Sequence, residues 1–264
     1  MRDSFLVVQI SDVHLTADGE LEPGIRPRDN LLRGLATLAA NDIRPDVFLL
    51  TGDLTDAGDG TCYDDLAGIL AEAAAHSEAS VIFLPGNHDD RQVLSRHLLA
   101  GADGDGDGPV NQTRWREGLR IIALDSTVPG QAHGNLDDQT LAYLRDELAT
   151  AAPGGTIVAL HHPPIASPIQ VLTDISLREP ERLRETIAGS DVRVILCGHY
   201  HHAAFGTLGA VPVWVTPATA YLADPAVTST IRQIRQAAFS RIDLSADTVT
   251  VTQIPIPAAH GVIR

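Results

Sequence analysis

Five times in this chain a short apolar run stops at a turn made of Gly, Asp, Asn and His. The turns are Asp12-Val13-His14, Gly52-Asp53-Leu54-Thr55-Asp56, Gly86-Asn87-His88-Asp89, His161-His162-Pro163 and Gly198-His199-Tyr200-His201. The runs before them are rich in Val, Ile and Leu, as expected of strands covered on both faces. Together with Leu119–Asp125, which leads into none of these turns, they read as strands over Phe5–Ser11, Val47–Thr51, Val81–Leu84, Thr156–Leu160 and Val192–Cys197. A chain that turns at the end of a buried strand projects its side chains over the sheet edge, where open α/β sheets place their ligands. Strand ends side by side can therefore aim many side chains at one point.

Helical spacing falls between these runs. Asn30–Ala40 carries Leu31, Leu32, Leu35 and Leu38 on one face. Asp64–Ala75, Arg91–Leu99, Asp137–Thr150 and Glu181–Ile187 follow, with Asp137 placed to cap its helix. The rhythm then changes. Phe205–Leu208, Val211–Val215, Phe239–Leu244 and Thr248–Gln253 read as strands, with hairpin turns at Leu208-Gly209-Ala210 and Ser245-Ala246-Asp247. Alternation followed by antiparallel strands calls for two stacked sheets with helices outside. Without a linker or repeat, residues 1–264 read as a single domain, with a core over about 5–254 and a tail over 255–264 forming an extended arm.

Composition narrows the partners. A formal charge of −15 argues against sustained contact with a nucleic acid polymer or an anionic membrane. Divalent cations in a site would reverse that sign locally. Two cysteines, Cys62 and Cys197, form no disulfide framework, and no run approaches a membrane span, so a cytoplasmic setting is expected. Residues 101–108 alternate Gly and Asp like the start of a calcium loop, yet Arg114 holds the position that needs Glu, leaving a solvated loop as the expectation.

The turns supply Asp12, His14, Asp53, Asn87, His161, His199 and His201 as metal donors, and leave His88 as an acid or base. Two-metal sites with such donors hydrolyse phosphoesters. Carboxylate, imidazole and amide oxygen suit manganese, iron, zinc, cobalt or nickel. Asp53, with two oxygens and a glycine before it, is the bridging candidate. Gly52, Gly86 and Gly198 each precede a donor, where a missing side chain allows a tight turn. His162 and His202 adjoin donors and would point away from the shell. Asp56 and Asp89 read either as groups that orient the donors or as helix caps. His76, His97, His133 and His260 have no motif around them.

The ordered set resembles the calcineurin-like metallophosphoesterase superfamily, and within it the bacterial class III cyclic nucleotide phosphodiesterases. Thr51-Gly52-Asp53-Leu54-Thr55-Asp56, Pro85-Gly86-Asn87-His88-Asp89-Asp90, Leu160-His161-His162-Pro163-Pro164 and Gly198-His199-Tyr200-His201 carry the likeness. The resemblance implies a four-layer α-β-β-α sandwich of two mixed sheets flanked by helices. It implies a first metal on Asp12, His14 and His201, a second on Asn87, His161 and His199, with Asp53 shared and His88 near the leaving oxygen. The implied ions are manganese and/or iron, with zinc or cobalt as substitutes; a homodimer is also implied. The expected reaction is hydrolysis of a small phosphodiester, a 3′,5′-cyclic nucleotide with cyclic AMP preferred. The alternatives are a broad phosphodiesterase for 2′,3′-cyclic, glycerol or aryl esters, a metal-free scaffold, and a phosphomonoesterase using Arg91. Residues 16–28, 128–135 and 167–176 are the candidate walls of a base pocket.

Overall fold

A computed structural model of the chain describes residues 4–99 and 108–258. The first unit alternates: β1 (Ser4–Ile10), α1 (Pro27–Ala40), β2 (Val47–Thr51), α2 (Gly60–Ala75), β3 (Ser80–Leu84) and α3 (Arg91–Leu98). β1 to β3 are parallel neighbours, so their C-terminal ends lie together. A second unit repeats the plan with β4 (Gln112–Arg116), β5 (Leu119–Leu124), α4 (Asp138–Leu148), β6 (Thr156–Leu160), α5 (Gln170–Asp174), α6 (Pro180–Ile187) and β7 (Val192–Cys197). β5, β6 and β7 are again parallel. The rest is largely antiparallel: hairpin β8 (Ala204–Leu208) and β9 (Val211–Val215), the short pair β10 (Leu222–Ala223) and β11 (Gln233–Ile234), and hairpin β12 (Ala237–Ser245) and β13 (Val249–Ile256).

These strands form two mixed sheets, ordered β13-β12-β1-β2-β3 and β4-β5-β6-β7-β9-β8. The sheets stack through one apolar layer in which Val7, Leu49 and Leu84 join Ile121, Ala159 and Leu196. On the outer face of the first sheet, Ile10, Leu50 and Phe83 pack with Leu31, Leu66 and Leu70 of α1 and α2. On the second, Ile122, Val158 and Ile195 pack with Leu141, Leu144 and Leu183 of α4 and α6. The result is the four-layer α-β-β-α sandwich. Its central strands are buried on both faces, which is why they read as unbroken apolar runs. Each fully buried Leu or Ile contributes about 1.5–3 kcal/mol, so packing rather than helix propensity holds the layers.

One buried polar residue ties the sheets at the site. Gln9 of β1 is fully buried, and its amide donates to Thr51 Oγ1 at 3.1 Å and to the Cys197 carbonyl at 2.9 Å. It thereby links the ends of β1, β2 and β7, three of the strands that lead into donor turns.

Several elements differ from expectation. β4 has the sequence Gln-Thr-Arg-Trp-Arg, too polar to read as a strand; it is an edge, half in water. α2 starts at Gly60, because the Asp59 carboxylate accepts from Thr61 N and caps the helix earlier. β13 runs to Ile256, two residues into the stretch read as an arm. Pro255 is tolerated because β13 is an edge strand that lacks a second partner needing its N–H. Ile256 is buried against Gly34 of α1. The acidic Gly-Asp loop lies outside the described residues save Gly108. Among the described residues no helix is long and apolar enough to cross a membrane.

Candidate metal centre

The ends of β1, β2, β3, β6 and β7 bring all seven expected donors to one edge of the sandwich. The first two turns are stitched together: Asp12 N donates to the Gly52 carbonyl at 3.0 Å, and His14 N to the Asp53 carbonyl at 2.9 Å. The fifth turn joins through Asp12, whose two oxygens accept from His199 N at 3.1 and 3.0 Å. The third joins through Asp53, whose Oδ1 accepts from His88 N at 2.9 Å.

Backbone shape does much of the aiming. Asp12, His14, Asp53, His199 and His201 all have positive φ, between 49° and 72°. That conformation is uncommon outside glycine and marks stored strain at a site. The glycines beside them serve a different need. Only Gly52 has positive φ. A methyl on Gly86 would strike Asp53, and one on Gly198 would strike Ser11 Oγ. Close approach, more than turn geometry, keeps those two positions bare.

The imidazoles are oriented in one consistent way. Each gives one nitrogen to an oxygen outside the cluster: His14 Nδ1 to Asp56 Oδ1 at 3.1 Å, His161 Nδ1 to the Thr51 carbonyl at 2.8 Å, His199 Nε2 to the Ile175 carbonyl at 3.0 Å, and His201 Nδ1 to the Tyr221 carbonyl at 3.1 Å. Carbonyls only accept, so those ring nitrogens carry the proton. The other nitrogens converge. His14 Nε2 meets His201 Nε2 at 3.2 Å, and His161 Nε2 meets His199 Nδ1 at 3.2 Å. Facing lone pairs repel unless a proton or a metal cation lies between them. Asp53 Oδ2 sits between the two pairs, 3.3 Å from His161 Nε2 and 3.7 Å from His14 Nε2. The Asn87 amide oxygen is buried with no hydrogen-bond partner. Converging imidazole nitrogens, a carboxylate between them and an orphaned amide oxygen fit a pair of metal cations.

Electrostatics agree. Burial would raise the Asp53 carboxyl, but His161 and His14 pull it well below the ordinary range. Burial opposes charge on His161, yet Asp53 and Asp12 lift it to about 9. The field that favours a proton there favours a metal cation equally. Burial and the neighbouring imidazoles push His199 and His201 down to about 3, so both remain neutral and able to coordinate.

Asp56 orients His14, as one of its two sequence readings held. Asp89 is not the cap of α3; Asp90 is, accepting from Val93 N at 2.9 Å. Asp89 instead accepts from Gly86 N at 2.9 Å, Leu54 N at 3.0 Å, Thr55 N at 3.1 Å and Tyr63 OH at 2.8 Å. It locks the second and third turns to each other. Burial and the charge of Asp53 hold its carboxyl up to about 6. His202 turns away to Ser167 Oγ as expected. His162 does not turn away fully. The backbone bends after Leu160, so the strict alternation of a strand is lost, and the His162 ring lies 4.7 Å from that of His199 while Nδ1 bonds Ser126 Oγ. His76 bonds its own helix and His97 bonds Asp64; His260 lies outside the described residues.

His88 stands at the open side, with 42% of its side chain exposed. Its Nδ1 donates to the Asp56 carbonyl at 3.0 Å, which leaves Nε2 for the space beyond. That space is a pocket of about 370 Å³ bordered by His14, Asp53, Asn87, His88, His199 and His201. Its far wall takes Leu21, Ala132 and Leu172 from the three expected segments. It also takes Tyr221 and Gln233 from around β10 and β11, which sequence reading missed. Arg91 is turned elsewhere: its Nε lies 2.6 Å from Asp125 Oδ2, and a terminal nitrogen bonds Thr127.

Comparison with known proteins places this geometry in context. A family profile described as Calcineurin-like phosphoesterase matches residues 5–203. A probable cyclic nucleotide phosphodiesterase of Rhodococcus erythropolis is 43% identical over 84% of this chain and 73% of its own length. A cAMP/cGMP dual specificity phosphodiesterase of Mycobacterium tuberculosis is 38% identical over 99% of this chain and 82% of its own. Among solved structures, a dimetal phosphatase from Danio rerio superposes with a TM-score of 0.66 at 15% identity, covering 96% of this chain and 98% of that one.

Proposed function

The chain belongs to the calcineurin-like phosphoesterases, and we propose that it is a two-metal phosphodiesterase that converts 3′,5′-cyclic nucleotides, cyclic AMP by preference, to 5′-nucleoside monophosphates. The observation that carries the metal part is the convergence of imidazole nitrogens at 3.2 Å around Asp53, with the other nitrogen of each ring held by an oxygen. Asp12, His14 and His201 would hold one ion, Asn87, His161 and His199 the other, and Asp53 both. When bound, such a pair supplies Lewis acidity at phosphoryl oxygens and lowers the pKa of water. Manganese and iron suit the oxygen and imidazole donors, and zinc or cobalt could replace them.

The residues around the donors do the rest. Asp56 and the carbonyls of Thr51, Ile175 and Tyr221 fix each imidazole in the tautomer that coordinates. His88, held by the Asp56 carbonyl through Nδ1, presents Nε2 to the pocket. In its charged form it passes the Nε2 proton to O3′ as the P–O3′ bond breaks and water oxygen joins phosphorus. The substrate reading rests on the relatives at 43% and 38% identity, and on a pocket of about 370 Å³, which suits one nucleotide rather than a polymer. The phosphomonoesterase alternative loses its main support, since Arg91 is committed to Asp125 and Thr127. Two free, buried cysteines agree with a cytoplasmic setting. One domain and a homodimer complete the reading.

Elemental analysis followed by a substrate panel with manganese tests it. Two ions per chain and faster cleavage of cyclic AMP than of 2′,3′-cyclic, glycerol or aryl diesters is the expected result. A strong preference for aryl or glycerol esters would overturn the substrate assignment.

A further inference from the structure

The pocket wall facing away from the donor cluster contains a row of polar groups, of which only the first belongs to that cluster. It starts at His201, whose Nδ1 donates to the Tyr221 carbonyl at 3.1 Å and whose ring lies 4.4 Å from the Tyr221 ring. Tyr221 and Gln233 stand together on that wall, from either side of the β10–β11 pair. Gln233 Nε2 in turn donates to Glu22 Oε1 at 3.1 Å. Glu22, Tyr221 and Gln233 all border the pocket. The Gln233–Glu22 bond lies at the pocket lip and joins residues 211 positions apart.

The loop that carries Glu22 is built rather than loose. Leu21 N donates to the Ile25 carbonyl at 3.0 Å, and Ile25 N to the Glu22 carbonyl at 2.8 Å. Gly24 N donates to Glu20 Oε1 at 2.7 Å, and Arg235 reaches across to the Pro23 carbonyl at 3.0 Å. Beside Glu22 the pocket is edged by Leu21 and by Ile231, an apolar side chain left 40% exposed. Apolar edges with one fixed polar group are what a flat heteroaromatic ring needs: area to lie on and a partner for its edge. A carboxylate repels phosphate and accepts only N–H or O–H donors. Its partner in this pocket is thus a base amine or the ribose 2′-hydroxyl rather than the phosphate, and the apolar edge of Leu21 and Ile231 beside it favours the base.

We propose that Glu22, oriented by Gln233, accepts a hydrogen bond from the base of the bound cyclic nucleotide, and that it selects bases with an exocyclic amine such as adenine. The inference rests on the cyclic-nucleotide reading above. Glu22 determines specificity; Gln233 is a positioning residue that sets the carboxylate.

The test compares kcat/KM for cyclic AMP with that for the cyclic phosphate of purine riboside, which lacks only the amine. The native protein should prefer cyclic AMP by about 10-fold, as expected for a hydrogen bond to a charged group. In Glu22→Ala that ratio should fall to near one, with the loss in KM rather than kcat and with the metal content of the native protein. Gln233→Ala should lower the ratio part of the way. A ratio that survives in Glu22→Ala overturns the assignment, as does a Glu22→Ala protein that loses its metals. A native protein that cleaves bis(4-nitrophenyl) phosphate but neither cyclic nucleotide overturns the substrate reading itself, a result distinct from either of those.

Discussion

His14 Nε2 and His201 Nε2 face each other at 3.2 Å, with the second nitrogen of each ring already spent on Asp56 and on the Tyr221 carbonyl. A cation between them turns repulsion into attraction, so metal and fold are thermodynamically linked. Removing metal with a chelator should therefore lower the melting temperature. At a free metal concentration of 100 times Kd, each ion adds about 2.7 kcal/mol, or about 5–10 °C for a chain of this size. Thermal melts before and after dialysis against chelator, then with manganese restored, check it; an unchanged midpoint would count against a metal-linked fold.

Asp53 reaches both pairs of imidazoles, at 3.3 Å to His161 and 3.7 Å to His14. Asp53→Asn removes the charge that both ions need while keeping the shape. Neither ion should survive dialysis, and phosphodiester cleavage should drop below detection. Full activity with two ions retained would refute the shared role.

His88 touches the cluster through its backbone N–H on Asp53 and its ring edge on His14 and is none of the seven expected donors, so His88→Ala should keep both metals. Turnover of cyclic AMP should fall by about 10²–10⁴, the usual worth of a general acid. With an aryl ester, whose leaving group needs no proton, the fall should be much smaller. Equal losses on both substrates would argue against proton donation.

Asp89 satisfies three backbone N–H groups and the Tyr63 hydroxyl at once. Asp89→Ala leaves those donors unpaired beside the cluster. The loss should be about 3 kcal/mol or more, read from a denaturant midpoint. A change under 1 kcal/mol would mean that water replaces the carboxylate easily.

Both thiols should be silent. Burial, then the charge of Asp59, raises the Cys62 pKa; burial alone holds Cys197 well above the ordinary thiol range. A raised pKa means less thiolate, and thiolate is the reactive form. Neither should react with a disulfide reagent near neutral pH until denaturant is added. Fast native labelling of Cys197 would show that β7 opens at its end.

The donor turns were legible because each packs its chemistry into three to five consecutive residues, where local spacing carries the meaning. The layers were legible because strands buried on both faces cannot hide their apolar runs. Three things were not. β4 lacks that signature because half of it faces water. The approach of His162 to His199 depends on a backbone bend that no spacing encodes. The wall made by Glu22 and Gln233 joins residues 211 positions apart, so only the folded chain puts them in contact. Even Asp89 was half visible: its motif was plain, but its partners Leu54, Thr55 and Tyr63 come from other segments.

The positive φ angles at Asp12, His14, Asp53, His199 and His201 have a corollary for evolution and engineering. Besides glycine, the residues that best tolerate this region are Asn, Asp and His, while β-branched side chains fit it worst. Chain geometry and coordination chemistry thus draw on the same small alphabet at these posts. A randomised library there would return few letters even under selection for folding alone, and Thr or Val would be missing from it long before activity was assayed.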